Sequence, residues 1–130
     1  MRGEGYLTKP QQFASVYSKG SSWASNLVVM TALPNGLTIS RYGLSVSKRV
    51  GKAVTRNRLK RLLREILRTL PIKSAWDIIF IVRPAAATVD YSSLRKSVEG
   101  LLSRAHLLEI TGEQSILAEV KAGSSGELEA

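Results

Sequence analysis

The sequence predicts an α/β (α+β) two-layer sandwich, one sheet with helices packed on it, in the order α-β-β-β-α-β-α. Three observations carry this expectation. Trp76–Val82 is a continuous apolar run with β-branched residues, suited to an interior strand covered on both faces. Ala53–Leu70 has a strong helical period and is ended by Pro71. The chain has 130 residues of which 44% are apolar, enough for one compact domain with a modest core and too many for wholesale disorder.

The first helix opens at Thr8-Lys9-Pro10-Gln11. Thr8 is the expected cap, Gln11 completes a capping box, and Pro10 sits in the first turn, where its missing N–H does no harm. The helix runs through Phe13, Val16 and Tyr17 to Lys19, and Gly20 ends it. Asn26–Leu33, rich in Val, Met and Thr, reads as a strand. Pro34-Asn35-Gly36 is a hairpin signal. Leu37–Ser47 then reads as strand, with Tyr42, Leu44 and Val46 sharing one face and Arg41 and Gly43 the other. Gly43 marks a bulge or a break into two strands. After the Ala53–Leu70 helix and the Trp76–Val82 strand, Asp90 caps a last helix. Its apolar positions Leu94, Val98, Leu101, Leu102 and Ala105 follow a helical stripe. Residues 1–110 are expected to form the domain. Residues 111–130 turn to Gly, Ser, Ala and Glu and read as a flexible tail.

Charge narrows the function. Lys and Arg number 19 against 10 Asp and Glu, a net of +9. The tail holds Lys121 against Glu113, Glu119, Glu127 and Glu129, so the +9 divides into −3 there and +12 over residues 1–110. Self-repulsion on that scale calls for an anionic partner, and nucleic acid is the commonest. Without cysteine there is no disulfide framework, thiolate zinc site or cysteine nucleophile. Apolar runs fall far short of the ~20 residues that cross a bilayer. Met1–Tyr6 lacks the apolar core of a secretory signal. A cytoplasmic location without a membrane partner is expected.

On a helical wheel with Arg56 at zero, Lys60, Arg64, Asn57, Arg68 and Arg61 fall between about 40° and 140°. Leu59, Leu62, Leu63, Ile66 and Leu70 lie opposite, between about 240° and 340°. Arg58, near 200°, flanks the cationic arc, and Glu65 sits near its edge at about 180°. A solvated helix face ordinarily mixes signs at i, i+4, whereas Lys48 to Arg68 holds nine basic residues and one acid. Arginine forks suit bidentate phosphate contacts. The preceding segment from Ser45 to Lys52 adds Lys48, Arg49 and Lys52 at a helix N-terminus, a natural anion site. It lacks the spacing of a nucleotide-binding loop.

The run Gly43-Leu44-Ser45-Val46-Ser47-Lys48-Arg49-Val50-Gly51-Lys52-Ala53-Val54-Thr55-Arg56-Asn57-Arg58-Leu59-Lys60-Arg61-Leu62-Leu63-Arg64-Glu65 closely resembles the signature of the bacterial ribonuclease P protein. A looser resemblance extends from about Leu7 to Leu108 and takes in Phe13, Tyr17 and Asp77–Arg83. It implies a ribosomal-protein-like fold with a four-stranded sheet and a left-handed β-α-β crossover through the basic helix. It also implies that Lys48, Arg49, Lys52, Arg56, Asn57, Arg58, Lys60, Arg61, Arg64 and Arg68 dock on ribonuclease P RNA. A cleft between the first helix and the sheet would hold the 5′ leader of precursor tRNA. Magnesium ions bound mainly to the RNA would then hydrolyse the phosphodiester, with no catalytic residue or metal ligand from the protein. Phe13 and Tyr17, at i, i+4, read either as core packing or as stacking platforms for unpaired bases. Trp23 extends that surface or packs. Where many relatives carry an aromatic in the first strand this chain has Thr31 or Val28, which makes Val46 and Lys48 the better leader candidates.

Three competing readings have less support. A general or ribosomal RNA-binding protein of similar fold leaves the long motif unexplained. A major-groove DNA reader is disfavoured because strands flank the basic helix. A self-sufficient nuclease would need a base or clustered carboxylates. The single histidine, His106, lies near the end of the last helix and reads as structural. Asp77 reads as a strand-edge residue and Asp90 as a cap.

Overall fold

A computed structural model describes residues 5–109. The chain runs β1 (Gly5–Tyr6), α1 (Pro10–Lys19), β2 (Ser21–Ala24), β3 (Val28–Pro34), β4 (Arg41–Ser45), α2 (Ala53–Thr69), β5 (Trp76–Val82), a 3-10 turn (Pro84–Ala86) and α3 (Tyr91–Arg104). The strands form one sheet of five in the order β1-β4-β5-β3-β2. The fold is mixed α+β as expected, with corrections. The sheet has five strands rather than four, because two-residue β1 pairs in parallel with β4. The third strand before α2 is β2, not a half of a divided β4. The expected tail, residues 111–130, lies outside the described residues.

The Pro34-Asn35-Gly36 turn does not join a hairpin. β3 and β4 are separated by β5, which pairs antiparallel with β3 and parallel with β4. The hairpin is β2–β3, with Trp23 opposite Met30 and Ser22 opposite Thr31. Gly36 still takes the left-handed conformation a tight turn requires, at φ 71°. Adjacent parallel β4 and β5 are joined through α2, which is the crossover architecture.

Directly paired residues share a face of the sheet. One face carries Trp23, Met30, Phe80 and Leu44, together with Tyr42, Ile78 and Val46. Against it pack Leu59, Leu63, Ile66 and Leu67 of α2 and Leu94, Val98, Leu101 and Leu102 of α3. The other face carries Gly43, Ile79 and Thr31, and Val16 of α1 packs there with Leu7 and Ile79. The sheet is therefore covered on both faces, which corrects the two-layer expectation. It also explains why β5, central and doubly covered, reads as an unbroken apolar run.

Local chemistry sets the ends of α1. Gln12, not Gln11, closes its N-terminus: the Gln12 Oε1 accepts from the N–H groups of Thr8 and Lys9 at 2.8 and 3.0 Å. The cap is Lys9, one residue later than expected. Gly43 is neither bulge nor break. A Cβ there would lie 2.6 Å from Phe13 Cε2, so the missing side chain is what lets α1 seat its aromatic ring on β4. Gly43→Ala should lift that ring and cost about 1–3 kcal/mol, measured as a lowered urea midpoint with unchanged slope.

Candidate nucleic-acid interface

The face of α2 turned from the core is built by the same period that built the core. Asn57, Arg61, Arg64 and Arg68 are exposed, and Lys60 is half-buried on the flank. Lys48, Arg49 and Lys52 are exposed in the loop before the helix. That loop is a pair of tight turns, Val50 N–H to Ser47 O at 3.0 Å and Gly51 N–H to Lys48 O at 3.2 Å. Gly51 at φ 156° makes the sharp entry into α2. Lys52 caps the helix without a side-chain hydrogen bond and the first turn holds no acid, so neither offsets the positive end of the helix dipole.

The ion pairs among the described residues are Arg41–Asp77 and Arg95–Glu99, and neither touches the Lys48–Arg68 segment. A face of exposed cations left without carboxylate partners can bind the phosphates of a polynucleotide and release their counterions. At the edge of the arc Val54 is an exposed large apolar residue.

The side chains of Arg56, Asn57 and Arg58 point in three directions. Arg56 donates its Nε to Gly51 O at 3.1 Å and braces the loop. Asn57 is exposed. Arg58 points the other way, donating through Nη1 to Ala87 O at 3.5 Å and through Nη2 to Val89 O. Its wheel angle sets it well off the arc of the other cations, whereas the motif resemblance groups it with them.

The proposed leader residues are divided between the two faces. Phe13 and Tyr17 lie on the α1 side, Phe13 half-buried against Gly43 and Tyr17 48% exposed. Lys48 is exposed beyond the end of β4. Val46 is only 9% exposed and Trp23 is half-buried, and both pack in the core beneath α2 and α3. They sit on the opposite face of the sheet from α1. Val28 is likewise in that core. Thr31 is on the α1 side, buried, with its hydroxyl 2.9 Å from that of Ser22.

Asp77 is not a strand-edge residue. It is buried on central β5, where Oδ1 accepts from Arg41 Nε at 2.9 Å and Asn35 Nδ2 at 2.9 Å and Oδ2 accepts from Arg41 Nη2 at 2.7 Å. The carboxylate in turn holds the Arg41 guanidinium above its ordinary pKa. Asp90 caps α3, accepting from Ser93 N–H at 2.9 Å. That bond, with a smaller contribution from the charge of Arg58, holds the Asp90 carboxyl below its ordinary pKa. Its contribution to stability is therefore present above the ordinary carboxylate pKa and is lost as pH falls through the lowered one. His106 is exposed at the C-terminal end of α3 in a left-handed conformation, φ 60°. Among the described residues no three His, Asp or Glu side chains converge as a metal site, and no helix is long and apolar enough to cross a membrane.

Known proteins share both sequence and architecture with this chain. The family model for ribonuclease P matches residues 1–106. The ribonuclease P protein component of Dehalococcoides mccartyi is 44% identical over 115 residues, 88% of this chain and 96% of the relative. That of Caldanaerobacter subterraneus is 44% identical over 105 residues, covering 79% and 90% of the two chains. The solved RNase P protein of Staphylococcus aureus superposes with a TM-score of 0.73 at 32% identity, covering 84% of this chain and all of that one. The Thermotoga maritima RNase P protein gives a TM-score of 0.71 at 32% identity, over 82% and 98% of the two chains. The basic helix and its entry loop lie wholly within the matched region, and this chain belongs to the ribonuclease P protein family.

Proposed function

We propose that this chain, the protein subunit of an RNA-processing endonuclease, works through two surfaces on opposite sides of its sheet. The outer arc of α2 and the Lys48–Lys52 loop dock on ribonuclease P RNA. The α1 side, with Tyr17 exposed beside Phe13, takes the single-stranded 5′ leader of precursor tRNA, and Lys48 at the end of β4 lies within reach of either strand. The observation that carries this reading is the exposed cationic arc of α2, which has no carboxylate partner among the described residues. The left hand of the β4–α2–β5 crossover is part of the same reading.

The protein's contribution is binding and alignment. Cations on α2 offset phosphate charge, and an exposed aromatic ring offers a stacking surface to an unpaired base. Trp23, half-buried, and Val46, buried, lie on the other face and are left out of the leader surface. The donor set among the described residues does not fit a magnesium site, so the magnesium implied for phosphodiester hydrolysis is assigned to RNA phosphates and no step is routed through a protein-held ion.

The test is reconstitution. Mixed with the ribonuclease P RNA of the same organism at low magnesium, the protein should restore leader removal from precursor tRNA, and alone it should cut nothing. RNA binding without rescue would leave only a general RNA-binding role. Tyr17→Ala should leave assembly with the RNA subunit unchanged and weaken binding of leader-bearing substrate by about tenfold, read as substrate Kd with and without the leader. Phe13→Ala also removes packing on Gly43, so it is the less clean variant.

A further inference from the structure

We infer that Arg58 is a positioning residue for the RNA face rather than one of its phosphate contacts. The inference rests on the reading of α2 as that face and divides its labour.

The observations concern direction and occupancy. Arg58 lies on the flank of α2 nearer α3, about 200° around the helix from Arg56 and well away from the centre of the exposed arc. Its guanidinium is committed to two backbone carbonyls, Ala87 and Val89, in the connection that leaves the 3-10 turn and enters α3. Among the described residues no other side chain donates to either carbonyl. Its charge also acts on Asp90, the cap of α3 and the acid at the end of this connection.

Two consequences follow for RNA. The clamp ties residues 87–90 to the side of α2, so the rim of the cationic arc is fixed backbone rather than a loop able to swing across it. It also offsets the Asp90 carboxylate, whose unmasked charge would repel a phosphate approaching this flank of α2. Lysine keeps the charge but cannot span two carbonyls with a planar fork, so the two roles are separable.

The experiment measures affinity of the full-length protein for ribonuclease P RNA from the same organism against salt, with amide exchange on residues 87–94, for Arg58→Lys, Arg58→Ala and Arg58→Ala with Asp90→Asn. Asparagine caps a helix as well as aspartate does, so the last variant removes charge and keeps the cap. The expected result has three parts. Arg58→Ala binds about tenfold more weakly and Arg58→Lys, which keeps the charge facing Asp90 but loses the fork, about threefold more weakly, both with the wild-type salt slope. Exchange in residues 87–94 is about tenfold faster. Adding Asp90→Asn recovers part of the affinity lost in Arg58→Ala. A slope lowered by about 0.7–0.9 in Arg58→Ala, with Arg58→Lys near wild type, would make Arg58 a phosphate contact and overturn the inference. Lower thermal stability with unchanged affinity would make it merely structural and overturn it equally. Arg61→Ala run in parallel must lower the slope; if it does not, the α2 reading itself has failed, separately from the role of Arg58.

Discussion

Replacing Arg61, Arg64 and Arg68 together by alanine should weaken binding to ribonuclease P RNA by about 100- to 500-fold at roughly 0.1 M salt, without unfolding the domain. The magnitude follows from counterion release. Each phosphate contact contributes about 0.7–0.9 to the slope of log affinity against log salt, so three contacts contribute about 2–2.7. The three side chains are exposed, lie on one arc of α2 and have no ion-pair partner among the described residues. Removing them takes nothing from the core formed by Leu59, Leu63, Ile66 and Leu67 on the far side of the same helix. Stability should change by no more than about 0.5 kcal/mol, and relief of like-charge repulsion acts in the stabilising direction. Titrations at several salt concentrations, with a urea midpoint for each protein, separate the two effects. A slope equal to that of the wild type would mean that RNA meets the protein elsewhere.

Elements with a strong period were legible in the sequence. The α2 helix was expected at Ala53–Leu70 and found at Ala53–Thr69, and β5 was found at Trp76–Val82 as expected. Their hydrophobic patterns record burial directly, on one face of α2 and on both faces of β5. The cap of α3 was legible because an Asp three residues before a free N–H is a local device. What failed was non-local. β1 has two residues and β2 four, too few to show alternation, and they exist because β4 and β3 offer them edges. The Pro34-Asn35-Gly36 turn carries real turn chemistry, but local sequence cannot register that β5 inserts between the strands it separates. The same limit displaced two site residues. Parity placed Tyr42, Leu44 and Val46 together on one face, as they are. Which helix covers that face was decided by Phe13 seating against Gly43 on the other side, a contact between residues thirty positions apart.

Arg41→Ala should be among the most destabilising single substitutions, at about 3 kcal/mol, because it leaves a buried carboxylate with one donor where it had three. In the native chain Asp77, with a side chain 7% exposed, is held by two bonds from Arg41 and one from Asn35. Asn35 also fixes the path from β3 to β4, accepting at Oδ1 from Leu37 N–H at 2.7 Å and donating through Nδ2 to Ile39 O at 3.1 Å. The network therefore joins the turn that was misread as a hairpin to the strand that displaced it. The two partners are not equivalent. Arg41 is 25% exposed, so in Asp77→Ala the freed guanidinium can turn to water, and the loss should be nearer about 1–2 kcal/mol. Replacing both, as Arg41→Met with Asp77→Leu, removes the buried charge along with its partner and should cost less than Arg41→Ala alone. Urea unfolding of the three variants tests the order. If Asp77→Ala costs more than Arg41→Ala, the carboxylate's other bonds, through Asn35 to the β3–β4 connection, carry more of the stability than the ion pair does.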